Sequence, residues 1–214
     1  MDKLNITQLK GALISACSGI ISNEKTLTEL DTIIGDGDHG KTMESGFSAL
    51  KEMLETTGFS TVPELFRETG ILLVRVMGGA SGVIFGTLFI GGHEALNVSD
   101  IVGPDELIRF FRGSADAIRR RGRTSRGDKT MLDALYPAVE AMEEAKEAGC
   151  DIKGILLAAK NGAEKGAKQT EKMIARKGRS KNFREKGLDL PDPGAVSTAI
   201  IFQGISDYLQ SFDF

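Results

Sequence analysis

The chain has 214 residues, enough to bury one hydrophobic core, so we predict a single domain over residues 1–214. A formal net charge of −3 and a pI near 5.6 argue against a nucleic-acid-binding protein, which needs a basic field. The longest apolar stretch, around residues 84–90, is too short to cross a bilayer, and the first residues lack the apolar core of a signal peptide. We therefore expect a cytoplasmic protein without a membrane or nucleic-acid partner.

Hydrophobic residues recur at helical spacing along most of the chain, and no alternating strand pattern is present. This periodicity predicts an all-α fold of eight antiparallel helices. Three segments rich in Gly, Pro, Asp or Arg are predicted to be functional loops, at 31–39, 122–128 and 174–194. The helices are expected at 4–22, 40–58, 61–77, 81–96, 103–122, 128–149, 151–173 and from Gly194 to the C-terminus.

The two cysteines, Cys17 and Cys150, lie far apart and have no metal-binding spacing. Each falls within an apolar helical pattern. We expect both to be small, reduced core residues.

Residues 35–42 read Gly-Asp-Gly-Asp-His-Gly-Lys-Thr and match the phosphate-loop pattern G-x-x-x-x-G-K-[ST]. A phosphate loop follows a buried strand, whereas residues 27–34 carry two acids and make a poor strand. Asp36 and Asp38 would also repel a phosphate held inside the loop. The pattern is therefore interpreted as a metal site.

Three aspartates, Asp31, Asp36 and Asp38, are crowded into one short segment. Their like charges destabilise one another unless a cation is bound, and carboxylate oxygens suit Mg²⁺ or Ca²⁺. Gly35 and Gly37 are expected to adopt positive φ and turn the carboxylates to one side. An EF-hand register fails because its twelfth position is Phe47. Mg²⁺ shared with nucleotide phosphates is the better match.

Two helix starts are candidate anion sites. The first lies near Gly40, where Thr42 adds a hydroxyl and Lys41 is either a phosphate contact or an ordinary exposed lysine. The second is Gly78-Gly79-Ala80-Ser81-Gly82, with Ser81 as N-cap, for which close helix packing is the competing explanation.

Five motifs in order carry a family resemblance. They are Asp31-x₄-Asp36-Gly37-Asp38-His39-Gly40, Gly78-Gly79-Ala80-Ser81-Gly82, Gly127-Asp128-Lys129-Thr130-Met131, Ala175-Arg176-Lys177-Gly178-Arg179 and Asp192-Pro193-Gly194-Ala195. Together they resemble the nucleotide-binding L subunit of dihydroxyacetone kinase over nearly the whole chain. The resemblance implies an antiparallel eight-helix barrel with ADP and Mg²⁺ at one end.

The resemblance also implies site residues. Asp31, Asp36 and Asp38 would hold Mg²⁺, with two ions expected, and these aspartates and Arg179 would be the catalytic groups. Nucleotide contacts are implied for His39, Gly40, Lys41, Thr42, Ala80, Ser81, Gly122, Met131, Arg179, Asp192, Pro193 and Gly194.

The implied activity is phosphoryl transfer from ADP- or ATP-type nucleotide to dihydroxyacetone held on a separate K subunit. In stand-alone L subunits ADP stays bound as a cofactor and is rephosphorylated by a phosphotransferase-system phosphoprotein, and we expect that route here. The alternatives are an ATP-dependent kinase subunit for another short ketose such as erythrulose, and a non-catalytic, ADP-loaded regulatory module. The arginine cluster at 119–123 lacks interleaved aromatics and gives little support to nucleic-acid binding.

Overall fold

The computed structural model describes residues 2–183 and 187–211, and helices account for most of that part of the chain. A two-residue antiparallel pair joins β1 (Leu4–Asn5) to β2 (Ile101–Val102). The helices of the described ranges are α1 Ile6–Ser22, α2 Glu24–Ile34, α3 His39–Thr56, α4 Val62–Met77, α5 Gly79–Ile90, α6 Pro104–Gly122, α7 Leu132–Glu147, α8 Ile152–Gln169 and α9 Pro193–Gln210.

Side chains that accept hydrogen bonds from the first turn fix where several helices begin. Asn5 forms a reciprocal capping box with Gln8 at the start of α1. Thr61, Asp151 and Asp192 cap α4, α8 and α9, and each side chain accepts a hydrogen bond from the backbone N–H three residues later. The last of these caps places a carboxylate at the end of the molecule where the candidate site lies.

Eight helices form a closed ring in which α1, α3, α4, α5, α6, α7, α8 and α9 each pack against the next, and α9 packs back on α1. Neighbours run antiparallel. Gly11 of α1 faces the ring of Tyr208 in α9, for example, whereas Gly19 faces Ile200. The predicted all-α antiparallel barrel is thus confirmed, and its eight helices are the eight predicted from periodicity.

The ninth helix, α2, was missed by the sequence prediction, which left residues 31–39 as a loop. Leu27, Asp31 and Ile34 share its buried face at positions i, i+4 and i+7. Because the middle position is a charged residue, the apolar stripe that signals a helix is interrupted. α2 packs against α3 and α9 at one end of the ring.

Two helix starts also differ from prediction. α5 begins at Gly79 with Gly78 preceding it, so Ser81 is not its N-cap. α7 begins at Leu132, and the Asp128 carboxylate instead accepts a hydrogen bond from the Ser125 N–H at 2.8 Å. In both places hydrophobic periodicity does not locate the first residue of the helix, because the preceding turn has no periodic pattern.

The core fills the inside of the ring with large apolar side chains, including Phe66 and Phe110, whose ring centroids are 4.3 Å apart. Cys17 lies in this core, where burial raises the pKa of its thiol to about 12. Cys150 is exposed at the turn between α7 and α8, so the prediction of a buried Cys150 is wrong. None of the helices in the described part of the chain combines the length and apolar character needed to span a bilayer.

Candidate functional site

Three aspartates converge between the end of α2 and the start of α3. Asp31 lies in the last turns of α2 and is 7% exposed, whereas Asp36 and Asp38 are exposed in the connecting turn. One carboxylate oxygen from each lies within 4.8 Å of the others. The Asp38 side chain makes no capping hydrogen bond to α3, although it precedes the first residue of that helix. Its oxygens are therefore not committed to the helix.

The turn that carries these aspartates depends on one of its two glycines for its backbone shape. Gly37 has φ +76°, as predicted, and needs the freedom of a residue without Cβ. Gly35 has φ −147°, so the prediction of positive φ there is wrong. Of the two glycines, only Gly37, between Asp36 and Asp38, has a left-handed backbone conformation.

Two helix N-termini lie at the same pocket. α3 starts at His39, and residues 78–81, around the start of α5, also line the pocket. Gly78 and Gly79 both have positive φ, and among the described residues, apart from their chain neighbours, no heavy atom lies within 4 Å of where a Cβ would project. Main-chain N–H groups that a helix start leaves without an intrahelical acceptor, together with the aligned helix dipoles, favour an anionic ligand.

His39 ties the aspartate turn to α9. Its main-chain N–H donates to Asp31 Oδ2 at 3.2 Å, and its Nε2 lies 2.9 Å from Ser197 Oγ. Burial lowers the pKa of the imidazole, although the nearby Asp31 carboxylate opposes that shift. His39 therefore sits in the wall as a neutral, hydrogen-bonded ring.

The opposite wall comes from the start of α9 and from the turn before α7. The Asp192 carboxylate accepts from the Ala195 N–H at 2.8 Å, and burial raises the pKa of Asp192 to about 7. Pro193, Gly194 and Met131 lie beside it along the pocket. This wall combines a buried carboxyl group with apolar surface.

Residues 173–183, here named the cover segment, pass over the mouth of the pocket. Lys177, Gly178, Arg179 and Ser180 all line it. Arg179 Nη1 lies 2.5 Å from Asp36 Oδ2, so the cover segment is joined to the aspartate cluster by an ion pair.

These elements enclose a pocket of about 270 Å³, a volume that accommodates a small ligand. Of the site residues predicted from the sequence, those lining it are Asp31, Asp36, Asp38, His39, Thr42, Ala80, Ser81, Met131, Arg179, Asp192, Pro193 and Gly194.

Three predicted contacts do not line the pocket. Gly40 faces α2, where a Cβ would collide with Glu24 and Thr28. Lys41 is exposed outside the pocket. Gly122 packs near Ile84, and it is Ile84 that lines the pocket. The motif positions of Gly40 and Gly122 thus contribute through packing at the edge of the site.

The sequence assigned no role to several lining residues. Met77, Ile84 and Phe85 supply apolar surface, and their helical spacing made them indistinguishable from core residues. Lys129 and Thr130 stood inside a recognised motif, but only the fold brings them to the pocket. The full set without an assigned role is Met77, Ile84, Phe85, Lys129, Thr130, Lys177, Gly178 and Ser180.

The arrangement is suited to binding an anionic ligand together with a hard cation. Three carboxylates can take a divalent cation, two helix starts can take phosphate oxygens, and the apolar side chains can take a flat ring. Arg179 contacts the aspartate cluster, so its guanidinium group is placed to bind negatively charged oxygens of a ligand there.

Comparison with known proteins agrees with this geometry. The model of the DAK2 domain matches residues 33–207. The chain is 38% identical to the Escherichia coli (strain K12) PEP-dependent dihydroxyacetone kinase ADP-binding subunit DhaL, over 89% of this chain and 91% of that one. It is 31% identical to the Listeria innocua PEP-dependent dihydroxyacetone kinase 2 ADP-binding subunit DhaL, over 94% of both chains.

Longer proteins are also similar. The human triokinase/FMN cyclase is 33% identical over 91% of this chain, which spans 34% of the human protein. The dihydroxyacetone kinase of C. freundii, solved in complex with AMP-PNP and Mg²⁺, superimposes with a TM-score of 0.73 at 25% identity, over 97% of this chain and 34% of that one. The chain therefore belongs to the DAK2-domain family, as a dihydroxyacetone kinase L subunit.

Proposed function

We propose that this chain is the nucleotide- and Mg²⁺-binding subunit of a cytoplasmic dihydroxyacetone kinase, acting as one domain. It would transfer a phosphoryl group to dihydroxyacetone held on a separate K subunit. ADP would remain bound and be rephosphorylated by a phosphotransferase-system phosphocarrier. The E. coli and Listeria relatives support this route because they are named as ADP-binding subunits of PEP-dependent kinases. The observation that carries the proposal is the convergence of three aspartates, two helix starts and Arg179 on one pocket.

The aspartate cluster fits Mg²⁺. Its donors are all carboxylate oxygens, they lie within 4.8 Å of one another, and Asp38 is not used as a helix cap. When bound, Mg²⁺ would neutralise charge on the nucleotide phosphates and orient them. Asp31 is fixed by α2 and by the His39 N–H, so it is the rigid member of the set.

The remaining groups would bind and orient the nucleotide. N–H groups at the starts of α3 and α5 would donate to phosphate oxygens, and the Thr42 hydroxyl lies one turn into α3. Arg179 would stabilise charge on the group in transfer, and the cover segment would limit access of water. Ile84, Phe85 and Met131 offer the apolar surface that a base or ribose needs.

The base that activates the ketose hydroxyl is proposed to belong to the partner. Within the described residues the pocket contains one histidine, His39, which is buried, neutral and engaged with Ser197. The aspartates are placed to hold the cation, and Asp192 caps α9. Transfer would therefore need the K subunit to supply both the ketose and its proton acceptor.

Native mass spectrometry of the purified chain, followed by reconstitution, tests the proposal. We expect ADP and Mg²⁺ to survive gel filtration, and dihydroxyacetone phosphate to form when the E. coli K and phosphocarrier subunits are added with PEP. The variant Asp100→Ala replaces an exposed aspartate remote from the pocket and should behave like the parent chain, so it is the control for replacing an aspartate of the cluster. A chain that binds no nucleotide and supports no transfer would contradict the proposal.

The human triokinase similarity favours one alternative, an ATP-dependent kinase subunit for a different short ketose or triose. The same reconstitution separates the two. Transfer with ATP but not with PEP and phosphocarrier, together with nucleotide lost on gel filtration, would support the alternative.

A further inference from the structure

Lys129 is a buried lysine that the proposed mechanism does not use. It lies in the turn before α7, lines the pocket and is 1% exposed. A lysine is almost never buried so completely unless its ammonium group has partners.

All of its recorded partners are main-chain carbonyls of the cover segment and of the chain that returns from it. Lys129 Nζ donates to Gly187 O at 2.5 Å, to Leu190 O at 2.7 Å and to Met173 O at 3.2 Å. An ammonium has three donors, so its capacity is filled. These charge-assisted bonds join the first residue of the cover segment, Met173, and two residues that follow the segment to a single point.

The turn that presents Lys129 is itself fixed. Lys129 has φ +61°, a conformation uncommon for a residue with a Cβ. The Asp133 carboxylate, in the first turn of α7, accepts from the Gly127 N–H at 2.5 Å and the Thr130 N–H at 2.8 Å. The lysine therefore projects from a turn that is held from the helix behind it.

The cover segment carries the groups that would meet the nucleotide. A second tie, from the Arg176 N–H to Asp128 O at 3.0 Å, joins it to the same turn. Arg179 then reaches across the pocket to Asp36. Holding the segment at Lys129 thus fixes where Arg179 lies.

We propose that Lys129 is a positioning residue that holds the cover segment closed over the pocket and so sets the rate at which a bound nucleoside diphosphate leaves. The inference rests on the proposed nucleotide-binding function. Lys129 would act through the cover segment, slowing loss of the nucleotide and keeping Arg179 in place for transfer.

The variant Lys129→Met tests this, because methionine keeps an unbranched side chain and meets the same backbone strain but has no ammonium. Lys168→Met, in an exposed lysine of α8, is the matched control. We expect release of the fluorescent analogue mant-ADP to become at least about ten-fold faster in Lys129→Met, since affinity changes act mostly through dissociation. Single-turnover transfer from nucleotide already bound should also fall, because the cover segment would no longer hold Arg179 in place.

Limited trypsin digestion gives a readout that needs no nucleotide. The cover segment contains Arg176, Lys177, Arg179 and Lys181, and we expect faster cleavage there in folded Lys129→Met than in Lys168→Met. Wild-type rates of both cleavage and mant-ADP release in a folded Lys129→Met protein would overturn the inference.

Labelling of the wild-type chain covers the case in which Lys129→Met does not fold. Reductive methylation followed by peptide mass spectrometry should modify Lys129 more slowly as ADP and Mg²⁺ saturate the pocket, and leave labelling of Lys168 unchanged. Lys129 labelling that is independent of ADP would overturn the inference. A wild-type chain that binds no mant-ADP would contradict the proposed function instead, and the trypsin comparison would still decide on the tether.

Discussion

Arg179 and Asp36 meet across the mouth of the pocket, with 2.5 Å between the guanidinium Nη1 and the carboxylate Oδ2. Asp36 is also one of the three candidate metal ligands. A cation entering the cluster must therefore share this carboxylate with Arg179 or displace it. Closure of the cover segment and occupancy of the cluster are coupled through a single carboxylate.

The variant Arg179→Gln should bind Mn²⁺ more tightly than the parent chain when no nucleotide is present. The ion pair is solvent-exposed, so the gain should be about two- to five-fold, matching a pair worth up to about 1 kcal/mol. Phosphoryl transfer should nevertheless fall by at least about 100-fold, because a donor to the developing charge is lost. Mn²⁺ titration and the reconstituted assay measure both, with Arg67→Gln as the control for an exposed, paired arginine. Unchanged Mn²⁺ affinity would show that the pair does not compete with the ion.

Replacing one member of the aspartate cluster should separate function from folding. Asp36→Ala removes a like charge from the cluster, so we expect unfolding by urea to be unchanged or slightly harder. Nucleotide retention and transfer should be lost, because a cation ligand is missing. Full activity of Asp36→Ala would rule out the metal role, and Asp100→Ala controls for loss of one acidic charge.

A methyl group at Gly40 should disturb the junction between α2 and α3. A Cβ there collides with Glu24 and Thr28, largely with main-chain atoms that cannot rotate away. We expect Gly40→Ala to lower the free energy of unfolding by about 1–3 kcal/mol, the usual range for overpacking. Gly58→Ala is the matched control, because its Cβ meets no atom within 4 Å. Equal melting temperatures for the two variants would contradict the packing assigned to Gly40.

The lysine that completes the phosphate-loop pattern should matter little. Lys41 is exposed and does not line the pocket. Lys41→Ala should therefore reduce kcat/KM by less than about five-fold, the scale of an exposed ion pair. A loss of several orders of magnitude in the reconstituted assay would revive the phosphate-loop interpretation.

The raised pKa of Asp192 predicts how stability depends on pH. Burial raises the pKa to about 7, so the folded protein binds a proton that the unfolded chain releases near pH 4. This contribution is complete below about pH 4 and is lost as the pH rises through 7. The stability difference between the parent chain and Asp192→Asn, measured by urea unfolding, should therefore fall between pH 4.5 and 8.

Asp151→Asn is the control for that experiment, because Asp151 also caps a helix but has the opposite shift. Its hydrogen bond from the Gly154 N–H lowers the pKa of the Asp151 carboxyl. Stability from Asp151 is present above its unfolded pKa and is lost only in more acidic solution. The stability difference between the parent chain and Asp151→Asn should stay constant from pH 5 to 8. A constant stability difference for Asp192→Asn as well would show that Asp192 is ionised when buried.

Periodicity predicted the helices of the ring because each has a continuous apolar stripe facing the core. It failed at α2 because Asp31 occupies the middle of the buried face. The same carboxylate that hides the helix is the best-fixed member of the cluster, held by the His39 N–H. The apolar pattern of the buried helix face is thus interrupted where the candidate site has a charged residue.

The pocket was predictable only where its residues are close in sequence or belong to a recognised motif. Asp36, Asp38 and His39 form such a segment. Lys129 stood inside a recognised motif, but its contacts could not be predicted. Its partners are carbonyl oxygens of Met173, Gly187 and Leu190, and a carbonyl oxygen is present at every residue. Contacts of this kind depend on the path of the main chain rather than on which residue types lie along it.

The antiparallel packing of α1 against α9 sets where further polypeptide can be attached. α9 begins at the pocket and, at about 1.5 Å per residue, carries the chain about 27 Å away from it. The first turns of α1 lie at that same distant end, because Gly11 meets Tyr208. Both ends of the described chain thus emerge opposite the mouth of the pocket. An affinity tag, a fluorescent protein or a fused domain at either end would leave the mouth of the pocket open to a docking partner.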